Sequence, residues 1–169
     1  SSTSNPSRSG PTTIAARHGS LRTSLTYVVP LDAPCELWLL TLSNEGDRPR
    51  RLQIFTYFEW LLGTASDWHR EFHRTFINTE YDAEHGAILA TKAMWDLPVE
   101  GSKTHWNRDW GFVAFHSASI APGGFDTDKR DFLGRHGSVA SPRAVREGKS
   151  TGRAGRWGDA IGSLRLDLA

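Results

Sequence analysis

A single cysteine, Cys35, leaves no possibility of an internal disulfide in this chain of 169 residues. It stands among strand-like apolar neighbours, where a buried and inert thiol is expected and redox chemistry is not. Long apolar runs are also missing. The longest, such as LWLLTL, fall far short of the ~20 residues that span a bilayer, and no charged-then-apolar leader opens the chain, so it reads as soluble. Charge of one sign is lacking too. Lysine and arginine number 20 against 19 aspartates and glutamates, for a net charge of +1, which gives no general attraction to nucleic acid or an anionic membrane. No C-x-x-C, G-x-S-x-G or P-loop is present, and the usual signals of nucleotide and acyl-transfer enzymes go with them.

Aromatic residues are plentiful, with seven tryptophans and eight phenylalanines, and such rings serve both cores and stacking on sugars. The length suits one domain with a real core, or part of a larger one. The only methionine is Met94 and the chain opens SSTSNPSRSGPTT, which suggests a piece of a longer protein. Residues 1–16 read as a flexible lead-in without an apolar period.

From Ser20 the pattern is β. SLRTSLTYVVPL, CELWLLTLSN and RRLQIFTYFEWLLG are rich in Leu, Val, Tyr, Phe and Trp, and each closes on a breaker. SNEGDRPR has tight-turn composition and predicts a hairpin between the second and third of these. TFINTEYD and AILATKAM predict another hairpin around DAEHG. WGFVAFHSASI predicts a strand with both faces at least half buried. In FDTDKRDFLGRHGS, Asp128 is placed to cap a helical turn over Lys129–Phe132 that Gly134 ends. SPRAVREGKSTGRAGRWG reads as a loop and IGSLRLDLA as a last strand. The fold class expected is all-β, mostly antiparallel, with two packed sheets and few helical turns.

Chemistry-bearing residues are scattered. In Asp67–Phe76, DWHREFHRTF, His69 and His73 are one helical turn apart, as in the zinc pattern H-E-x-x-H. Arg70 holds the place of the glutamate, however, and a guanidinium beside a dication is unfavourable, so no metal is expected. Asp126, Asp128 and Asp131 lie in one stretch, as a glycosidase's two acids could, but Lys129, Arg130 and Arg135 among them favour a solvated, self-neutralising loop. THWNRDWGF gathers Trp106, Asn107, Arg108 and Trp110, a set suited either to stacking and hydrogen-bonding sugars or to core and sheet-edge packing.

Taken in order, YVVPLDAPCELWLLTLSNEGDRPRRLQIFTYFEW, FDTDKRDFLGRHGSVASPRAVREGK and IGSLRLDL resemble the N-terminal β-domain of glycoside hydrolase family 94. The family holds disaccharide phosphorylases, such as those of cellobiose, cellobionic acid and chitobiose, and part of cyclic β-1,2-glucan synthases. The resemblance runs from about Arg17 to Leu168, and its specific element is the pairing of PRRLxxFxYxEW with FLGRxGSxxxP. It implies a β super-sandwich over residues 17–169 that packs on a helical (α/α)6-barrel absent from this chain. In such enzymes phosphate attacks the anomeric carbon with inversion and a barrel aspartate protonates the leaving oxygen, so this chain alone would carry no catalytic residue and the three aspartates would be structural.

The resemblance implies no cofactor beyond inorganic phosphate as co-substrate, an oligosaccharide or disaccharide substrate, and a cytoplasmic homodimer. The segment after FEW would shape the acceptor subsite, which makes Trp68, Arg70, His73, Arg74 and Thr75 the candidates, with Trp106 and Arg108 beside them. Arginines and a histidine there would suit an acceptor with a carboxylate, because a guanidinium pairs with one in two-point fashion. A cyclic β-1,2-glucan synthase fragment, whose parent would be a membrane protein, and a free-standing carbohydrate-binding module are the alternatives.

Overall fold

The computed structural model describes residues 11–63, 74–92, 110–155 and 158–168. The chain divides into two compact units, Ser1–Arg50 and Arg51–Ala169. Strands dominate, every ladder is antiparallel, and the fold is all-β as expected.

The first unit is a sheet of three successive strands, β1 (Thr12–His18), β2 (Leu21–Val28) and β3 (Leu37–Asn44). β1 begins inside the stretch read as a lead-in. TTIAARH has a cross-strand partner at every residue, because Gly19 at φ 59° lets the chain reverse at once into β2. Register places Ile14 and Leu40 opposite Leu25, and Trp38 opposite Tyr27, so apolar side chains collect on one face. The Tyr27 and Trp38 rings meet edge to face at 5.7 Å. Cys35 lies before β3 rather than within a strand and is half-buried, since Pro34 and Asp32 hold that stretch out of the ladder.

The second unit is layered. Its middle sheet forms around β10 (Ala160–Leu168), which pairs with β4 (Leu52–Phe55), β5 (Phe58–Glu59) and β9 (Gly124–Asp128). The hairpin predicted between CELWLLTLSN and RRLQIFTYFEW does not form: β3 pairs with β2 and β4 pairs with β10. RRLQIFTYFEW is divided between two strands, although β4 and β5 keep one unbroken register against β10. At the division the Thr56 N–H donates to the Leu164 carbonyl at 3.0 Å, while the Leu164 N–H donates to the Thr56 hydroxyl at 2.8 Å. A side-chain oxygen thus accepts the bond that a strand carbonyl would take.

A second sheet, β6 (Ile77–Asp82), β7 (Ala87–Lys92) and β8 (Trp110–His116), packs on one face of the first. Trp60, Ile77, Ile88, Ala90, Ala160 and Leu164 form their shared core. The hairpin predicted at DAEHG is present, its turn held by Asp82 accepting from the Glu84 and His85 N–H groups. β8 is more exposed than expected: Phe112, Val113 and Phe115 are all exposed, and Trp110, Ala114 and His116 are half-buried, since among the described residues it stands at the edge of its sheet and pairs with β7 alone. Gly162 belongs to the same packing, since the Phe58 ring lies where a Cβ would stand at 2.4 Å.

The opposite face of the β10 sheet carries two short helices, α1 (Lys129–Leu133) and α2 (Arg143–Glu147). Asp128 caps α1 by accepting from the Arg130 and Asp131 N–H groups, and Gly134 ends it, as the sequence predicts. α2 replaces part of the loop expected in SPRAVREGK. Pro142 supplies an extended entry, Gly148 at φ 64° supplies the left-handed exit, and Ala144 is fully buried against Phe132 and Ile161. Two sheets and a pair of helices therefore enclose β10 from both sides.

Candidate functional site

On the helical face a group of ionisable side chains surrounds the end of β5. Strand alternation puts Tyr57 and Glu59 on the same side, toward α1. One Glu59 oxygen accepts from the Tyr57 hydroxyl and faces the Lys129 ammonium, both at 2.8 Å, and the other faces Arg74 Nη1 at 2.6 Å. Arg74 Nη2 meets an Asp159 oxygen as a charge contact without hydrogen-bond geometry. Lys129 lies 3.8 Å from Asp159, and two cations thus offset two anions.

Burial pushes the Glu59 carboxyl upward, but the bonds from Lys129 and Tyr57, with the charges of Arg74 and Lys129, outweigh it and hold the pKa below the usual value. Tyr57 moves far the other way. Burial, and then its bond to the Glu59 carboxylate, keep the phenol protonated and a permanent donor.

An open groove of about 510 Å³ lies in the same unit. Its walls include Thr79 of β6, Thr127 and Asp128 of β9, Arg130 of α1, and Arg153. Thr79 donates to Thr127 at 2.8 Å, Thr127 donates to the Arg153 carbonyl at 3.0 Å, and Asp128 is taken up by capping. Among the described residues that line this groove, the polar groups offered are hydroxyls, carboxylates and guanidinium groups, and no side chain is an aromatic ring. Among the described residues no three His, Cys, Asp or Glu side chains converge as a metal set would.

The aspartates of FDTDKRD have separate structural partners. Asp126 is fully buried and accepts from the Thr151 N–H and hydroxyl, both at 2.8 Å, while Asp128 caps α1. The backbone carbonyl of Asp131 receives Arg143. Of the residues expected at a sugar subsite, Arg74 sits in the charge cluster and is largely buried, and Thr75 follows it in a half-buried turn. Trp68, Arg70, His73, Trp106 and Arg108 lie outside the described residues, as do His69 and most of DWHREFHRTF. Trp110 packs on the sandwich core.

Sequence reasoning missed the partners of Arg74. Glu59 and Asp159 are one hundred positions apart in the chain, and only the pairing of β5 with β10 brings them together.

Antiparallel sheets layered about a central strand make the second unit a β-sandwich with short helices on one outer face. The family model described as "Glycosyl hydrolase 94, supersandwich domain" matches residues 8–169, and the chain belongs to that family. It is similar to a solabiose phosphorylase of Paenibacillus borealis, 28% identical over 155 residues that make up 92% of this chain and 19% of the relative. A cyclic beta-(1,2)-glucan synthase of Rhizobium meliloti is 29% identical over 144 residues, 84% of this chain and 4% of that protein. A 3-O-beta-D-glucopyranosyl-beta-D-glucuronide phosphorylase, also of Paenibacillus borealis, is 24% identical over 163 residues, 94% of this chain and 19% of the relative. The chain thus spans about a fifth or less of the length of these relatives.

Proposed function

We propose that this chain is the non-catalytic, substrate-shaping part of an inverting glycoside phosphorylase that cleaves a β-linked disaccharide with inorganic phosphate to give an α-sugar 1-phosphate. The observation that carries this reading is the match to the supersandwich domain over residues 8–169, together with two phosphorylases among the relatives. The capping role of Asp128 and the complete burial of Asp126, whose Oδ1 accepts from Thr151, support a non-catalytic role. The general acid and most of the phosphate site would belong to a helical barrel elsewhere in the parent protein. No cofactor is needed, because phosphate itself is the nucleophile.

In this reading Trp68, Arg70, His73, Thr75, Trp106 and Arg108 contact the acceptor sugar, and Arg74 serves the same rim through its ion pairs. Arginine and histidine favour an acceptor bearing a carboxylate. A relative named for a glucuronide, a carboxylated sugar, supports that preference. A cytoplasmic homodimer is the assembly expected.

The glucan synthase relative supports a second reading, in which the parent handles β-1,2-glucan. A free-standing binding module is less well supported, because Trp110 packs on the core instead of forming a platform.

The test is phosphorolysis by the full-length protein with cellobiose, cellobionic acid and β-1,2-glucan as substrates, comparing wild type with Arg70→Ala. The variant is expected to raise the acceptor KM about tenfold in the synthetic direction while the phosphate KM holds, as loss of one charge-assisted contact implies. Absence of phosphorolysis with every β-linked disaccharide overturns the phosphorylase reading, and an unaltered acceptor KM removes Arg70 from the subsite.

A further inference from the structure

We propose that two ordered water molecules lie in a polar seam between β9, β10 and residues 149–152, one bridging Asp126 to Ser163 and the other bridging Ser150 to Arg165. Together they tie the exit of α2 to the sheet.

Register creates the seam. Asp126 stands opposite Ser163 and Gly124 opposite Arg165, so these four residues share one face of the ladder. The pair between them, Phe125 and Leu164, belongs to the sandwich core, which puts the four on the face that carries α1 and α2. Residues 149–152 run over them. The Gly152 N–H donates to the Phe125 carbonyl at 2.9 Å, and the Thr151 N–H and hydroxyl both donate to Asp126 Oδ1 at 2.8 Å.

Four polar atoms here are closed off from solvent with no partner among the described residues: Asp126 Oδ2, Ser163 Oγ, Ser150 Oγ and Arg165 Nε. Asp126 and Ser163 are wholly buried. Burying such groups unbonded is costly, and native proteins satisfy them with protein atoms or ordered water. Ser163 and Asp126 do not bond each other across the ladder, whose register shifts just before Ser163. The Nη groups of Arg165 already serve the carbonyls of Gly123 and of Gly148, where α2 ends, and this leaves Nε to another acceptor.

Donors and acceptors match two waters. Ser163 donates to the first, which donates on to Asp126 Oδ2, and Arg165 Nε donates to the second, which donates on to Ser150 Oγ. The two positions are two residues apart along the strands, about 7 Å, so both are filled without overlap. Gly124 makes the room for the second: a Cβ there would have Ser150 Oγ at 3.3 Å and Arg165 Cζ at 3.6 Å, the contacts of one added atom. A guanidinium on the same face disfavours a cation in either place.

Crystal structures of the full-length protein, wild type and two variants, test this. Wild type is expected to show two density peaks, each about 2.6–3.2 Å from its two partners. Ser163→Ala is expected to lose the Asp126 water and keep the other. Gly124→Ala, whose methyl takes the second position, is expected to lose the Ser150 water and keep the first. In solution, hydrogen exchange in residues 149–155 is expected to quicken about fivefold in Ser163→Ala, as the loss of one hydrogen bond implies, while exchange in β6 and β7 is unaltered.

A direct bond between Ser163 and Asp126, a wild-type structure lacking either peak, or a peak with the short contacts and crowded oxygen shell of a metal ion overturns the proposal. Unaltered exchange in 149–155 overturns the tie to the exit of α2. Gly124→Ala decides the matter by itself should Ser163→Ala fail to fold.

Discussion

The sheet of β1, β2 and β3 and the sheet gathered on β10 draw on the same Leu, Phe, Tyr and Trp residues, but they close over very different lengths of chain. In the first, each strand pairs with its neighbour in sequence, and Leu25 meets Ile14 and Leu40 across short links. In the second, a single late strand meets β4, β5 and β9, and the Leu164 N–H reaches a hydroxyl 108 residues earlier in the chain. Local pairing can begin as soon as its hairpin exists, whereas pairing on β10 must first meet the entropy of a long closure. Damage to β10 should accordingly reach strands far apart in sequence, and damage to β2 should stay among neighbours.

Leu164→Ala is the sharpest way to break that contrast. Leu164 is fully buried between the two sheets of the second unit, and truncating such a leucine costs about 2–5 kcal/mol. Amide protection is expected to fall together in β4, β5, β9 and β10. Leu25→Ala, at a half-buried position, should cost about 1–2 kcal/mol and lower protection in β1 and β3. Protection lost only beside residue 164 would show that β10 is not the strand that ties the second unit together.

The two units also treat charge differently, and pH exposes the difference. The Arg17–Glu45 pair of the first unit is well exposed, at 67% and 38% of its side-chain surface. The second unit buries His116 against Phe58, with Nε2 2.8 Å from the Thr56 hydroxyl, and burial pushes its pKa down to about 4. After accepting from Leu164, the Thr56 hydroxyl keeps a proton and a second lone pair, so either tautomer of a neutral imidazole can pair with it.

An unfolded histidine titrates near 6.5, so between that value and about 4 the unfolded state binds the extra proton. The associated stability is complete above the unfolded value and falls as pH drops through this window, by about 2 kcal/mol at pH 5. Denaturation of the second unit followed from pH 7 to pH 5 should show that loss, and His116→Gln should flatten it. Glu59 acts lower, because its depressed pKa delays any loss until below the usual carboxylate range. A slope that survives in His116→Gln would assign the acid sensitivity to another group.

Which parts of this were legible in the sequence follows from the same contrast of distances. Strand positions, the DAEHG turn, the Asp128 cap and the Gly134 stop depend on residues within a few places of each other, and local chemistry specifies them. The hairpin expected at SNEGDRPR was a reasonable inference from turn residues, but a tight turn records only that the chain reverses. It does not record that a β10 strand made more than one hundred residues later offers β4 a better partner. Arg74 illustrates the same limit at the site. Its type and place after FEW suggested a sugar contact, while its two acidic neighbours come from β5 and the residue before β10. The helix in SPRAVREGK was hidden because five residues show too little period, and it forms where Ala144 fits against Phe132.

The smallest expected effect concerns the junction of local and distant order at Asp128. One carboxylate oxygen caps α1 through the Arg130 and Asp131 N–H groups at 2.8 and 3.2 Å, and the other accepts from the Asp159 N–H at 3.3 Å, just before β10. If the local cap dominates, Asp128→Ala should cost about 1 kcal/mol, as the loss of an N-cap does. Asp128→Asn should then recover most of it, because its amide oxygen can still accept from the first turn. If instead the link to Asp159 dominates, asparagine should fare as badly as alanine, since its amide group would set a donor against a donor. Urea midpoints of the two variants decide between these outcomes, and the short 2.8 Å bond within α1 favours the first.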